Sequence, residues 1–255
     1  MRLRVIAALL LAAAAANAQT TVEQPPPVST VVVPVAGRVV GANDVHWHTD
    51  LELRNDQRSE VTVMLTMPTA PDANFLILPI SPGAVIQLTD VAAALGLEYG
   101  LSPIVIQTND RKSVSVRATA YGTRGTELFP PEPIAINYGS SYFPVRTLYD
   151  LSFSTVFRTN LGLVNLGEQT ADFTLALQRI AGRNLAVTRI SIPPNSLWHM
   201  SIQSAFPLIT DGEHFAVVIE TSGPQTYVYA SVIENATTTA RFVQASFGAP
   251  TDTTR

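Results

Sequence analysis

Cysteine is absent from all 255 residues, and lysine occurs once, at Lys112. Without thiols there is no disulfide framework, no lipoprotein anchor, no cysteine nucleophile and no thiolate metal site, so the apolar core alone has to hold the fold. Charged side chains make up 14% of the chain, against about 25% in typical soluble domains, and basic residues are nowhere clustered. Nucleic acid and anionic membranes bind through dense positive charge that displaces counterions, so neither is expected as a partner. Long apolar runs are missing as well. The longest, Val5 to Ala16, has twelve residues, where a bilayer span needs about 20. Catalytic signatures are equally scarce: no G-x-S-x-G elbow, phosphate loop, dinucleotide fingerprint or H-E-x-x-H pair occurs.

What is present begins with a leader. Arg2 and Arg4 precede the apolar run, and Ala16-Asn17-Ala18 places small residues where signal peptidase reads them. Residues 1–18 are therefore expected to be a signal peptide, removed to leave 237 residues in the periplasm or outside the cell, with no membrane insertion after removal. Losing the two arginines takes the formal net charge from −4 to −6. Pro25-Pro26-Pro27 marks residues 19–30 as an extended tether. A second proline cluster, Phe129-Pro130-Pro131-Glu132-Pro133, reads as a stiff linker over residues 130–135.

The segments on either side of that linker are related. An offset of 110 superposes Trp47-His48-Thr49-Asp50-Leu51-Glu52-Leu53-Arg54-Asn55 on Phe157-Arg158-Thr159-Asn160-Leu161-Gly162-Leu163-Val164-Asn165, and Pro34-Val35 on Pro144-Val145. An offset near 112 superposes Ser81-Pro82-Gly83 on Pro193-Pro194-Asn195, and Ala118 on Ala230. Such drift is what a small loop insertion causes in an internal duplication. Within each copy the apolar period is two, as in Trp47, Thr49, Leu51 and Leu53, or Val61, Val63 and Leu65. Asn55 and Asn165 close their strands, in turns where asparagine tolerates left-handed φ and bonds its own backbone. Thr89-Asp90 can cap a short helix from Val91 to Leu95, with a counterpart from Ser201 to Phe206 stopped by Pro207. The expected fold is all-β: two tandem immunoglobulin-like β-sandwich domains, residues 31–129 and 136–248, and a disordered tail over 249–255. A single closed barrel is the alternative architecture.

Three of these segments also carry a resemblance. Thr49 to Asn55, Arg158-Thr159-Asn160-Leu161-Gly162-Leu163-Val164-Asn165-Leu166-Gly167 and Tyr229-Ala230-Ser231-Val232-Ile233-Glu234-Asn235-Ala236-Thr237 are similar to motifs of largely uncharacterised secreted bacterial proteins with tandem immunoglobulin-like repeats. Those motifs are W-x-T-D-L-x-L-x-N, R-T-N-L-G-L-V-N-x-G and a closing Y-A-S-V strand. The similarity runs with gaps from about Val33 to Phe242. It implies a sandwich fold and an extracytoplasmic address, and it brings no catalytic residues.

The remaining residues with chemical potential read as structure. His46, His48 and Asp50 share one strand face and form a ligand set suited to zinc, but alternation alone puts polar residues there. Trp47 shares parity with Leu51 and Leu53 and reads as core; Trp198 is the better placed of the two for exposure. Gly139-Ser140-Ser141, Asn109 to Lys112 and Asp211-Gly212-Glu213 read as turns and loops, and Asn235-Ala236-Thr237 matches a sequon that a bacterial-type chain does not use. No catalytic, cofactor-binding or metal-ligating residue is assigned, and no cofactor. The expected function is an exported non-catalytic adhesion, binding or structural module with a protein or glycan partner. Behind it stand a hydrolase with a scattered active site and a pilus-type chaperone, which would need a basic cleft anchor such as Arg146 or Arg158.

Overall fold

The computed structural model describes residues 29–109, 112–138, 143–179, 183–209 and 211–247. The leader, most of the tether, the tail and the Gly139-Ser140-Ser141 turn lie outside the described residues. The first half carries β1 (Ser29–Val40), β2 (His46–Arg54), β3 (Val61–Thr66), β4 (Leu76–Ile80), β5 (Val85–Leu88), α1 (Val91–Ala94), β6 (Gly100–Thr108), β7 (Ser115–Arg124), β8 (Glu127–Leu128), β9 (Glu132–Ile134) and β10 (Asn137–Tyr138). The second carries β11 (Val145–Phe153), β12 (Phe157–Asn165), β13 (Ala171–Arg179), β14 (Asn184–Ile192), β15 (Ser196–Ser201), α2 (Ile202–Ala205), β16 (Gly212–Thr221), β17 (Thr226–Glu234), β18 (Ala240–Gln244) and β19 (Ser246–Phe247).

All described pairings are antiparallel, and the same order appears twice. Sheet I runs β4-β3-β6-β1-β10 and sheet III runs β14-β13-β16-β11-β19. Sheet II runs β5-β2-β7, with β8 and β9 both on the far edge of β7, and sheet IV runs β15-β12-β17-β18. Registers repeat as well: Leu51 faces Leu88 and Ala118, and Leu161 faces Met200 and Ala230. Inward residues of the paired sheets meet in two separate apolar clusters. One joins Val33, Val63 and Ile106 to Leu51, Leu53 and Val116; the other joins Phe153, Phe173 and Val217 to Leu161, Leu163 and Val228. Each fully buried side chain of this kind contributes about 1.5–3 kcal/mol, which explains how a chain without disulfides holds these layers.

The duplication extends to polar contacts. Asn55 is buried; its Nδ2 donates to the carbonyls of Ser59 (2.9 Å) and Ile80 (2.8 Å), while Oδ1 accepts from Gln57 N (2.8 Å). Asn165 donates to Gln169 O (2.7 Å) and Ile192 O (2.9 Å) and accepts from Gly167 N (2.9 Å). Both are extended pins between a turn and a neighbouring strand; the left-handed residues expected nearby are instead Gly83 (φ 72) and Asn195 (φ 48). The two short helices also correspond, with Asp90 Oδ1 accepting from Ala93 N and Ser201 Oγ from Ser204 N.

Two sequence expectations change. Part of the expected linker is strand: Glu132–Ile134 pairs with β7, Ile134 is buried, and the buried Phe129 ring lies under the Arg124 guanidinium at 5.4 Å. Prolines at 131 and 133 are compatible with this because β9 is an edge, where a missing donor faces outward. The superposition of Pro34 on Pro144 also fails. Pro144 precedes β11, whereas Pro34 sits inside β1 at a break in register between Val33↔Ile104 and Ala36↔Ser102, opposite Pro103. Neither proline can donate to the ladder, so β1 bends there. Its first part belongs to sheet I, and Val39 and Val40 pair with β2 in sheet II. At the bend Gly37 lies so close to β6 that a Cβ would stand 2.2 Å from the Gly100 carbonyl oxygen.

Candidate functional site

Beyond its register break β1 pairs with β2 in sheet II, and the outer face of sheet IV lies against that part of the first half. Phe242 on β18 packs against the first apolar cluster. Between the halves remains a cleft of about 520 Å³, walled by Val39, Trp47, Leu101, Ala120 and Ile134 on one side and by Arg158, Asn160, His199, Tyr229 and Ile233 on the other.

Sheet IV is shaped for this by a missing side chain. Gly162 on the central strand β12 lies between His199 on β15 and Tyr229 on β17. A Cβ at Gly162 would fall 2.0 Å from the Tyr229 ring, so only glycine lets that ring cross the strand. The ring stacks with His199 (centroids 5.8 Å) and Phe242 (5.4 Å), and Tyr229 is 1% exposed. The phenol oxygen and His199 Nδ1 share a hydrogen bond of 2.9 Å. Burial pushes His199 down to about 4, which keeps the imidazole neutral at neutral pH, and pushes the Tyr229 phenol upward.

Arg158 is the cationic group of the cleft. Its Nη1 donates to Asn235 Oδ1 at 2.8 Å, and Asn235 is itself fixed by donating from Nδ2 to Thr155 O at 3.0 Å. Among the described residues no carboxylate forms an ion pair with Arg158, and burial alone lowers its pKa. The acid in the lining, Glu132, is raised by burial and drawn back down by the charge of Arg241. No protein-family model and no curated protein matches this sequence.

The residues singled out from sequence are distributed differently. His48 Nδ1 lies 3.0 Å from Asp90 Oδ2, the same oxygen that Arg38 Nε approaches at 3.0 Å, and Asp90 N donates to Asp50 Oδ1 at 2.9 Å. Tyr121 stacks on His48; burial, then the charges of Asp50 and Asp90, raise its pKa. His46 stands apart, exposed, 3.6 Å from Asp44. Thus His48 and Asp50 anchor the start of α1 to sheet II, and the three residues do not converge. Among the described residues no group of three such side chains could hold a metal ion. Trp47 is half-buried at the cleft wall, and Trp198 is half-buried against the second core. Arg146 is buried on β11, donates from Nη1 to Thr226 Oγ1 at 3.3 Å, and lines a separate cavity of about 300 Å³ with Phe143 and Phe247. Of the two arginines named from sequence, Arg158 lines the cleft of about 520 Å³, and Arg146 lines the smaller cavity, which Ile136 and Asn137 of the first half also border. His199 and Tyr229 were missed. The available signal was Gly162, a glycine in mid-strand, which marks a close approach.

Proposed function

We propose that the protein is an exported, non-catalytic binding module of two tandem immunoglobulin-like sandwiches, acting in the periplasm or outside the cell, and that its ligand site is the cleft between them. The cleft carries this reading. At about 520 Å³ it falls within the range of about 300–1,000 Å³ typical of small-molecule sites, and it shares their pattern of carbon walls with a few placed polar groups. The immunoglobulin-like assignment is supported by the inner strands, since β2 neighbours β5 in one sheet and β3 neighbours β6 in the other, as in that fold. The outer strands differ from it, with β1 beside β6 and β7 beside β2. The export assignment rests on the leader.

A hydrolase needs a base of adequate strength to activate water or a nucleophile, and burial holds the cleft histidine at about 4, with a phenol as its bonded partner. The chaperone reading gains a basic side chain in the cleft, but Arg158 lies on β12, flanked by β15 and β17, with no open edge beside it.

The test is titration with the neutral fluorophore N-phenylnaphthylamine, excited by energy transfer from tryptophan. One saturable site per chain is expected, lost when Ala120→Phe fills the cleft in a protein that still unfolds cooperatively. Absence of saturable binding, or undiminished binding in the variant, would overturn the assignment.

A further inference from the structure

The lining of the cleft holds one guanidinium, Arg158, and one carboxyl, Glu132. His199 and Tyr229 are neutral and bonded to each other, and Glu132 feels the charge of Arg241, whose own ion pair is with Asp150. Arg158 has a neutral amide for its partner and no carboxylate. A guanidinium partly removed from water beside apolar walls carries a desolvation cost that an anion would offset. Its planar fork matches a carboxylate with two parallel bonds. The orientation is also prepared: Asn235, tied to Thr155 O and Val156 O, holds one side of the guanidinium. The opposite wall offers apolar surface from Val39, Trp47, Leu101 and Ile134, with His48, Thr49 and Glu132 also on it.

We propose that the cleft binds an anionic amphiphile, its carboxylate held by Arg158 and its apolar body lying along Val39, Trp47, Leu101 and Ile134. This rests on the cleft being a ligand site, as proposed above, and adds the chemistry of the ligand. Arg158 is then the residue that selects charge, and Asn235 positions it. An aliphatic acid satisfies both requirements, whereas the alcohol of equal length satisfies only the apolar one.

The experiment compares decanoate, decanol and decyltrimethylammonium as competitors of N-phenylnaphthylamine on the full chain at neutral pH. With the wild type, decanoate should compete about tenfold or more better than decanol, as hydrogen bonds to a charged group imply. Its advantage should shrink as sodium chloride is added, and the ammonium compound should compete worst. In Arg158→Gln, checked for wild-type thermal unfolding, decanoate should fall to the level of decanol, each competitor being referred to the fluorophore's own affinity for that variant. The wild-type comparison stands even if that variant does not fold. Equal competition by decanoate and decanol, or a preference for the cation, would overturn the anionic ligand while leaving the cleft as a site. Failure of the fluorophore to bind would remove both.

Discussion

Asn55 and Asn165 show how much one side chain can fix. Each closes its own turn and ties that turn to a strand 25 or 27 residues further on, through bonds to buried carbonyls. Alanine at either position leaves those carbonyls without donors, at about 1–3 kcal/mol for each buried group. Asn165→Ala is expected to lower stability by about 3 kcal/mol in urea denaturation, and Asn165→Asp by more, because a carboxylate would face carbonyl oxygens. A loss below about 0.5 kcal/mol, typical of surface changes, would contradict the pinning role. His199 provides a pH-dependent counterpart. Its folded pKa of about 4 lies below the ordinary 6.5, so between those values the unfolded chain binds a proton that the native chain does not. The contribution is therefore complete above pH 6.5 and lost as pH falls toward 4, by up to about 3 kcal/mol. His199→Gln should lack this component, so that the wild type loses its advantage over the variant on acidification. Parallel curves for the two proteins would show the histidine to be solvated. The asparagines were legible as turn residues, but their reach across the fold was not. Sequence separates Asn55 from Ile80, and only the paired strands bring them together.

Strands with strict alternation were the most legible parts. In β2 and β3 the inward positions Thr49, Leu51, Leu53, Val61, Val63 and Leu65 are all buried, as their period requires. The helix cap at Asp90 was equally clear, because a cap is a local bond, whereas for the second helix only its place from Ser201 to Phe206 was legible. Proline misled the reading in two places. At Pro131 and Pro133 it suggested a linker, yet an edge strand tolerates a missing donor; Pro34 suggested a match to Pro144, and it lies instead at a register break inside β1. The consequence for β9 is measurable in the intact chain. Ile134 is 5% exposed and belongs to the first core, so Ile134→Ala should cost about 2–4 kcal/mol. An isoleucine in a solvated linker would show almost no effect. The same result bears on the boundary between the halves, which then falls after Tyr138 and before Val145, later than the proline cluster.

Considered together, the two halves share strand order, registers and polar pins, and they differ where they meet. The positions of His48 and Asp50 on β2 correspond to Arg158 and Asn160 on β12. In the first half these positions anchor α1 to its sheet, with His48 also bordering the cleft; in the second both face the cleft. That divergence could be read as a difference between copies, but the cleft itself could not. It depends on the bend of β1 and on the face of sheet IV that covers it, and no periodicity encodes the docking of one half on the other. Ligand entry would therefore be felt by one tryptophan and not by the other, since Trp47 lines the cleft and Trp198 packs into the second core. The most direct measurement is a heteronuclear NMR titration of the isotope-labelled protein with N-phenylnaphthylamine, following the two indole N–H signals, assigned by Trp47→Phe and Trp198→Phe. A cleft that binds the ligand requires the Trp47 signal to move and saturate while that of Trp198 stays in place; a moving Trp198 signal with Trp47 unchanged, or two unmoved signals at saturating ligand, would contradict it.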